Sequence, residues 1–223
     1  MNSLGFNKKE KETKVIVAMS GGVDSSVAAV KLKMEGYDVT GVTLRLYNQP
    51  NSSKSKSCCA GIDINDAKKV AEQYDFHHEV FDYQDKFFNG VISNFVDSYA
   101  NGETPVPCIQ CNQTVKFSDL LEESKNLNAD ALVTGHYAIR KGGLRESKLF
   151  KAKDKTKDQS YFLFATLQDQ LDYVRFPLGD FLKSEIRQMA NDYKLVVSDK
   201  PDSQDICFVT SDSYRDLINK IQP

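Results

Sequence analysis

Lys14-Val15-Ile16-Val17-Ala18-Met19-Ser20-Gly21-Gly22-Val23-Asp24-Ser25-Ser26 is the stretch on which the fold turns. Its first six residues form a β-branched apolar run, the pattern of a short strand buried in a parallel sheet. Two glycines then let the chain turn tightly and admit a ligand to the backbone with no Cβ in the way. From Val23 the spacing becomes helical, with Val23, Val27, Val30 and Met34 on one face and Gly36 as the stop. The first N–H groups of a helix have no partner within it and sit at the positive end of its dipole, and the neighbouring serines add donors. Strand, glycine turn and helix start in that order make a cradle for phosphate. The residues leave one alternative open, a plain helix N-terminus capped by Ser20 or Asp24. No Gly-Lys-Ser/Thr follows, so this is not a Walker loop, and the GxGxxG spacing of dinucleotide binders is absent.

Outward from this stretch the same rhythm continues. Residues 38–46 read as a strand, 47–57 as a loop rich in Asn, Ser and Lys, and Ile64, Ala67, Val70 and Ala71 mark a helix. Residues 78–81 read as a strand, and Phe87, Val91, Ile92, Phe95 and Tyr99 as another helix. Pro105 and Pro107 interrupt the chain before a helix over 111–126 and a compact strand at 131–134. Strands alternating with helices predict a doubly wound α/β fold, a parallel sheet covered on both faces. After Gly142-Gly143 the pattern predicts a hairpin, helices over 160–167 and 183–192, an irregular stretch over 198–210, and an amphipathic helix carrying Tyr214, Leu217, Ile218 and Ile221. These make a small helical extension.

The 223 residues hold 29 Lys and Arg against 31 Asp and Glu, with 40% hydrophobic and 10% aromatic residues. A chain of this size and composition hides roughly 70% of its unfolded surface, which excludes disorder as the main state. Its length fits one large domain, or one with a fragment of a second. No apolar run reaches the ~18 residues of a membrane helix, and the start, MNSLGFNKKEKETK, lacks the hydrophobic stretch of a signal peptide; a cytoplasmic location with no membrane partner is expected. The cysteines are Cys58, Cys59, Cys108, Cys111 and Cys207, an odd set that favours metal or redox chemistry over a disulfide framework. Cys58 and Cys59 end a Ser/Lys loop and read as non-catalytic, and His77 and His78 lack a Cys or carboxylate at ligand spacing. Residues 140–157 carry eight Lys or Arg against two acids, Glu146 and Asp154; taken alone, such a run is a solvated hairpin and loop.

The string from Ser20 to Ser26 matches, at all seven positions, the SGGxDS[ST] signature of the PP-loop ATP pyrophosphatases, whose fold is adenine nucleotide alpha hydrolase-like. Further motifs stand in register: Thr104-Pro105-Val106-Pro107-Cys108-Ile109-Gln110-Cys111-Asn112 with Val115-Lys116-Phe117, Thr134-Gly135-His136-Tyr137, Lys157-Asp158-Gln159-Ser160-Tyr161-Phe162-Leu163, and Asp202-Ser203-Gln204-Asp205-Ile206-Cys207-Phe208. Together they resemble the tRNA-specific 2-thiouridylases over residues 14–209. The resemblance implies that ATP activates the C2 oxygen of a wobble uridine in tRNA and that a cysteine-borne sulfur replaces it. It makes Cys111 the nucleophile and Cys207 the persulfide carrier, supplied by a cysteine desulfurase or another persulfide donor. A thiolate suits both tasks, and two thiols let one deliver sulfur while the other resolves the adduct. It also implies that Ala18, Met19, Ser20, Gly21, Gly22, Val23, Asp24 and Ser25 line the nucleotide phosphates, Asp24 helping to hold Mg²⁺, with Leu44 and Gly135 against the adenosine. His136, Lys157, Asp158 and Gln159 would meet the tRNA. Beside that motif the basic segment reads as part of a phosphate-tracking surface.

The chain departs from the family where Asn-Pro-Asp is common, having Val106-Pro107-Cys108 instead. The change creates Cys108-x-x-Cys111, which with Cys207 offers three thiols for an iron–sulfur cluster; a redox pair or a neutral replacement are the alternatives. The expected organisation is a polar tail over 1–13, a nucleotide-binding domain over 14–140, a hairpin, helices and second-cysteine segment of the same catalytic unit over 141–210, and the start of a truncated tRNA-binding region over 211–223. The family continues into smaller β-rich domains, which keeps a second function in view: an ATP- or tRNA-binding module without turnover. A third is another PP-loop ligase that adenylates a small carboxylate or carbonyl.

Overall fold

The computed structural model describes residues 1–47, 61–202, 206–209 and 214–221; Cys58, Cys59 and nearly all of the Asn/Ser/Lys loop lie outside the described residues. Along the chain the strands are β1 (Lys14–Ala18), β2 (Asp38–Arg45), β3 (His77–Asp82), β4 (Ala131–Thr134), β5 (Ala138–Lys141), β6 (Lys148–Lys151) and β7 (Val174–Arg175). The helices are α1 (Val23–Met34), α2 (Gly61–Gln73), α3 (Gln84–Phe87), α4 (Ser93–Ala100), α5 (Pro107–Cys111), α6 (Leu121–Asn126), α7 (Gln168–Tyr173), α8 (Lys183–Asp192) and α9 (Tyr214–Ile221). Five strands form one parallel sheet in the order β3-β2-β1-β4-β7, and β5 pairs with β6 in a separate antiparallel hairpin.

The sheet is buried on both faces because the central strand is apolar at every position that alternates. Val15 and Val17 point into one half of the core with Val27, Val70, Ile186 and Ala190, which brings α1, α2 and α8 onto that face. Ile16 points the other way, with Leu132 of β4 and with Phe87, Phe95, Val115 and Leu120 from the helices between β3 and β4. The connection after β1 therefore leaves on one face and the connection into β4 arrives on the other. A crevice opens at the C-terminal ends of two strands whose connections diverge in this way.

The helical stretch around the cysteines is wound differently from the regular helix predicted over 111–126. It begins with α5, passes through a π-helical segment (Asn112–Leu120) and ends in α6, and a shorter π-helical turn (Phe88–Ile92) joins α3 to α4. Such wider turns are rare and concentrate at functional sites. The predicted helix over 160–167 is instead a 3₁₀ turn (Ser160–Leu163) followed by α7, whose extended N-cap, Leu167, separates the two. Met34, expected on the buried face of α1, is 61% exposed at the helix end. Residues 1–13, expected as a polar tail, lie against the body: Leu4 is buried and its N–H donates to the Tyr37 hydroxyl at 3.2 Å. His78 is tied to Thr43 at 2.8 Å and exposed His77 to Glu79 at 2.8 Å, structural and surface roles as predicted. No helix among the described residues is long and apolar enough to cross a membrane.

Candidate active site

A cleft of about 470 Å³ lies at the C-terminal edge of the sheet, between the ends of β1 and β4, within the size range of small-molecule sites. Ala18, Met19, Ser20, Gly22, Val23, Asp24 and Ser25 line it, together with Leu44 from β2, Gly135 and His136 after β4, and Lys157, Asp158 and Gln159. Residues read as phosphate-binding, adenosine-binding and tRNA-contacting thus share one wall-to-wall space. Cys108, Cys111 and Cys207 are not among its lining residues.

The glycine loop is shaped by backbone contact. Gly21 has φ +71°, and a Cβ there would fall within 2.6 Å of the Asp63 carbonyl carbon at the start of α2. A Cβ on Gly135 would stand 2.8 Å from the Ser25 backbone nitrogen, so glycine at that position lets the β4 turn press on the first turn of α1. The N-cap of α1 is Gly22, which has no side chain, and no side chain caps the helix. Ser20 and Asp24 therefore do not serve as caps. Ser25 Oγ accepts from the Ser20 N–H at 3.1 Å and lies 3.3 Å from Ser20 Oγ, which holds both hydroxyls beside the helix start. The arrangement fits a phosphate group: an uncapped helix N-terminus, two hydroxyls, and no Cβ to block approach.

Charges close the cleft's floor. Asp24 accepts from Lys183 Nζ at 2.7 and 2.8 Å and from the Tyr137 hydroxyl at 2.7 Å. Burial first, and Asp24 second, push the Tyr137 hydroxyl well above its ordinary range, so it stays a proton donor. Lys183 also contacts Asp202 at 2.9 Å, and Asp202 takes further ion pairs from Lys157 at 2.9 Å and Arg187 at 2.6 Å. Burial works against the Asp202 charge, but Lys183 and Lys157 outweigh it and hold the carboxyl well below the usual carboxylate range. Lys200 reaches the Gly21 carbonyl at 2.8 Å while pairing with Asp63 at 2.5 Å and Asp66 at 2.8 Å.

Two of the residues read as tRNA-contacting also hold the site together. Asp158 accepts from the Ala152 N–H at 2.8 Å and from Ser160 Oγ at 2.7 Å, while Gln159 Oε1 accepts from the Tyr137 N–H at 2.9 Å. His136 shares a hydrogen with Thr134 Oγ1 at 2.7 Å and packs edge-on to Phe176. Burial, with the Lys116 ammonium adding to it, pushes the His136 pKa down to about 3, so the ring is neutral. An unfolded histidine titrates near 6.5, so between the two values the unfolded chain binds one more proton. Stability from this group is full above pH ~6.5 and falls as pH drops toward 3, by at most about 1.4 kcal/mol per unit. His136→Gln should therefore lose less stability than wild type between pH 7 and 4.5 in urea denaturation; equal losses would show that the ring is not held neutral by the fold.

Cys111 ends α5 and is buried; burial pushes its thiol pKa up, which Lys116 opposes and Cys108 reinforces. It belongs to the same half of the core as Phe208, against which Cys207 packs. Phe208 stacks edge-on to Phe87 at 5.6 Å and Phe95 at 5.2 Å, and the Cys207 carbonyl accepts from the Tyr47 hydroxyl at 2.6 Å, so the second cysteine is anchored on the Cys111 side of the sheet. The three-thiol cluster expected from Cys108, Cys111 and Cys207 is not assembled. Cys108 is exposed while Cys111 is buried, and no three His, Cys, Asp or Glu among the described residues are placed to hold a metal ion.

Lys116, Tyr137, Lys183 and Asp202 line the same cleft, and the sequence assigned none of them a role. Lys116, Tyr137 and Asp202 sat inside quoted motifs, which was the available signal. Lys183 offered none, since its partners lie 159 and 19 positions away along the chain.

Comparison with known proteins bears on the same residues. The chain is 56% identical over 225 residues to the tRNA-specific 2-thiouridylase MnmA of Dinoroseobacter shibae, covering 100% of this chain and 59% of that relative, so it spans somewhat over half the length of the protein it matches. Among solved structures, a 4-thiouridine synthetase in complex with RNA and ATP superposes with a TM-score of 0.58 at 16% identity over 89% of this chain and 45% of that one. An NMN synthetase from Francisella tularensis gives 0.53 at 17% identity, covering 95% and 77%. These two likenesses show the fold, a doubly wound parallel sheet. A family model described as the tRNA methyl transferase HUP domain matches residues 13–211, nearly the whole chain, and the chain belongs to that family.

Proposed function

We propose that this chain is the ATP-using and sulfur-transferring module of a tRNA 2-thiouridylase. The observation that carries the reading is the single cleft in which the glycine loop and residues 157–159 meet. The whole-chain similarity to a 2-thiouridylase supports it. In this reading the α1 N-terminus, Ser20 and Ser25 bind the phosphates of ATP, and Asp24 presents one carboxylate to Mg²⁺, a cation held by one or two carboxylates together with substrate phosphates. Bound there, the metal would offset charge on the departing pyrophosphate. Leu44 and Gly135 flank the adenosine, and His136, as a neutral ring, meets the target nucleotide. Lys157 and the basic segment over 140–157 track tRNA phosphates.

Cys111 and Cys207 share the sulfur step. ATP adenylates the uridine C2 oxygen with loss of pyrophosphate. The outer sulfur of a Cys207 persulfide bonds to C2 and AMP departs with that oxygen. The Cys111 thiolate, as nucleophile, attacks Cys207 Sγ, which breaks the persulfide S–S bond, frees 2-thiouridine and leaves a Cys111–Cys207 disulfide for an external thiol to reduce. Burial favours the neutral form of Cys111, and Lys116 is the charge that favours its thiolate. A cysteine desulfurase or another persulfide donor charges Cys207, and the reaction belongs to the cytoplasm. Residues 14–140 and 141–210 then form one catalytic unit. A second reading, an ATP- and tRNA-binding module without turnover, is favoured by the position of Cys111 and Cys207 outside the cleft lining.

The deciding experiment incubates the chain with ATP, Mg²⁺, a persulfide source and unmodified tRNA, and reads the nucleosides by mass spectrometry. Formation of 2-thiouridine is expected. Absence of product with ATP and tRNA binding intact would establish the module in its place.

A further inference from the structure

The segment that leads to Cys207 is tied to the nucleotide loop through a chain of ion pairs. Lys183, the first residue of α8, is fixed at its backbone, where its N–H donates to Asp154 Oδ2 at 2.9 Å. Its side chain is only 13% exposed and its ammonium contacts both oxygens of Asp24 and one of Asp202. Asp24 stands on the first turn of α1, inside the phosphate loop; Asp202 stands five residues before Cys207. Arg187, one turn further along α8, holds the same segment by the Ser198 carbonyl at 2.9 Å, the Lys200 carbonyl at 2.5 Å and Asp202 at 2.6 Å. Lys200 returns from that segment to the Gly21 carbonyl.

An ammonium shared by carboxylates on two separate segments is a link with two ends. A change in what either end binds changes the force on the other, and the coupling is reciprocal. A triphosphate in the loop offers Lys183 a new anionic partner, and a divalent cation at Asp24 repels it. Either event redistributes the charge that now holds Asp202. Lys157 reaches Asp202 but not Asp24 and is 41% exposed, so it does not make the same bridge.

We propose that Lys183 is a positioning residue that couples the phosphate loop to the Cys207 segment, so that filling the cleft with a nucleoside triphosphate changes the reactivity of the Cys207 thiol. The coupling rests on the ATP-binding reading of the cleft given above. It explains why Asp202, five residues before Cys207, is held by Lys183 beside the nucleotide loop although Cys207 itself stands outside the cleft lining.

The test alkylates the intact chain with iodoacetamide and follows Cys207 by peptide mass spectrometry, with and without α,β-methylene-ATP and Mg²⁺, using exposed Cys108 as the reference. Nucleotide binding is measured separately by calorimetry. In wild type the nucleotide should change the Cys207 rate relative to Cys108 by about fivefold or more, the lower end of ordinary site-to-site coupling. Lys183→Met should abolish that dependence and Lys183→Arg should retain it. Where Lys183→Met no longer binds nucleotide, Asp202→Asn carries the test, because it cuts the far end of the link and leaves the phosphate loop intact. Nucleotide that binds wild type without altering the Cys207 rate overturns the coupling alone, as does a dependence that survives both Lys183→Met and Asp202→Asn. No nucleotide binding to wild type overturns the reading of the cleft and the coupling with it.

Discussion

Serine in place of Cys111 is expected to lower 2-thiouridine formation by about 10⁴-fold or more, the scale on which removal of a nucleophile is felt. The thiol is buried in an apolar half of the core and takes its favourable charge from Lys116. A serine hydroxyl in the same place is a poor nucleophile without a positioned base and cannot carry or resolve a persulfide sulfur. Because α5 and the π-helical segment lie on the face of the sheet opposite α1, the glycine loop should not feel the change, and calorimetric ATP affinity should match wild type. Cys111→Ala guards against a packing effect, since it removes the sulfur without placing a hydroxyl in the core. Product formation within tenfold of wild type in either variant would remove Cys111 from the chemistry.

How much of this was legible in sequence differs from element to element, for physical reasons. β1 and α1 were legible because Val15, Ile16 and Val17 are each fully buried, and a strand covered on both faces needs apolar residues without interruption. β7 was not, since two residues at the sheet edge carry no period, and one of them, Arg175, is a buried charge. The π-helical winding after Cys111 was missed because Val115, Leu120 and Leu121 satisfy a 3.6-residue pattern as readily as a wider one. Within the site, the glycine loop and the Thr134–Tyr137 stretch were legible as contiguous motifs, and the structure places nearly all of their residues on one cleft. The pairing of the charges that organise the cleft was not. Asp24 was read only as a phosphate and Mg²⁺ residue, Tyr137 and Asp202 only as members of motifs, and Lys183 not at all, because an ion-pair network joined only in three dimensions leaves no spacing to read. The Cys-x-x-Cys spacing of Cys108 and Cys111 likewise says nothing of burial, and the fold leaves one outside and one inside.

Alanine at Gly21 should be the most damaging change in the phosphate loop, lowering stability by about 2–5 kcal/mol. The left-handed φ of +71° alone costs a residue with a side chain about 1–2 kcal/mol. The new methyl group would also overlap the Asp63 backbone, and overpacking of this kind costs about 1–3 kcal/mol. Relief by moving α2 would displace Asp63, which holds Lys200, which in turn holds the Gly21 carbonyl, so the loop would lose its clamp at the same time. ATP affinity should fall with stability. Gly22→Ala separates this local argument from a general intolerance of the loop. Gly22 has φ −93° and a Cβ there meets only Ser20 Oγ at 3.5 Å, an ordinary contact, so its stability should change by less than about 1 kcal/mol. Urea denaturation of the two variants at matched slopes, with calorimetric ATP titrations, measures both. Equal destabilisation of Gly21→Ala and Gly22→Ala would mean that backbone contact with α2 does not shape the loop, and the fit to phosphate would then have to rest on the α1 N-terminus alone.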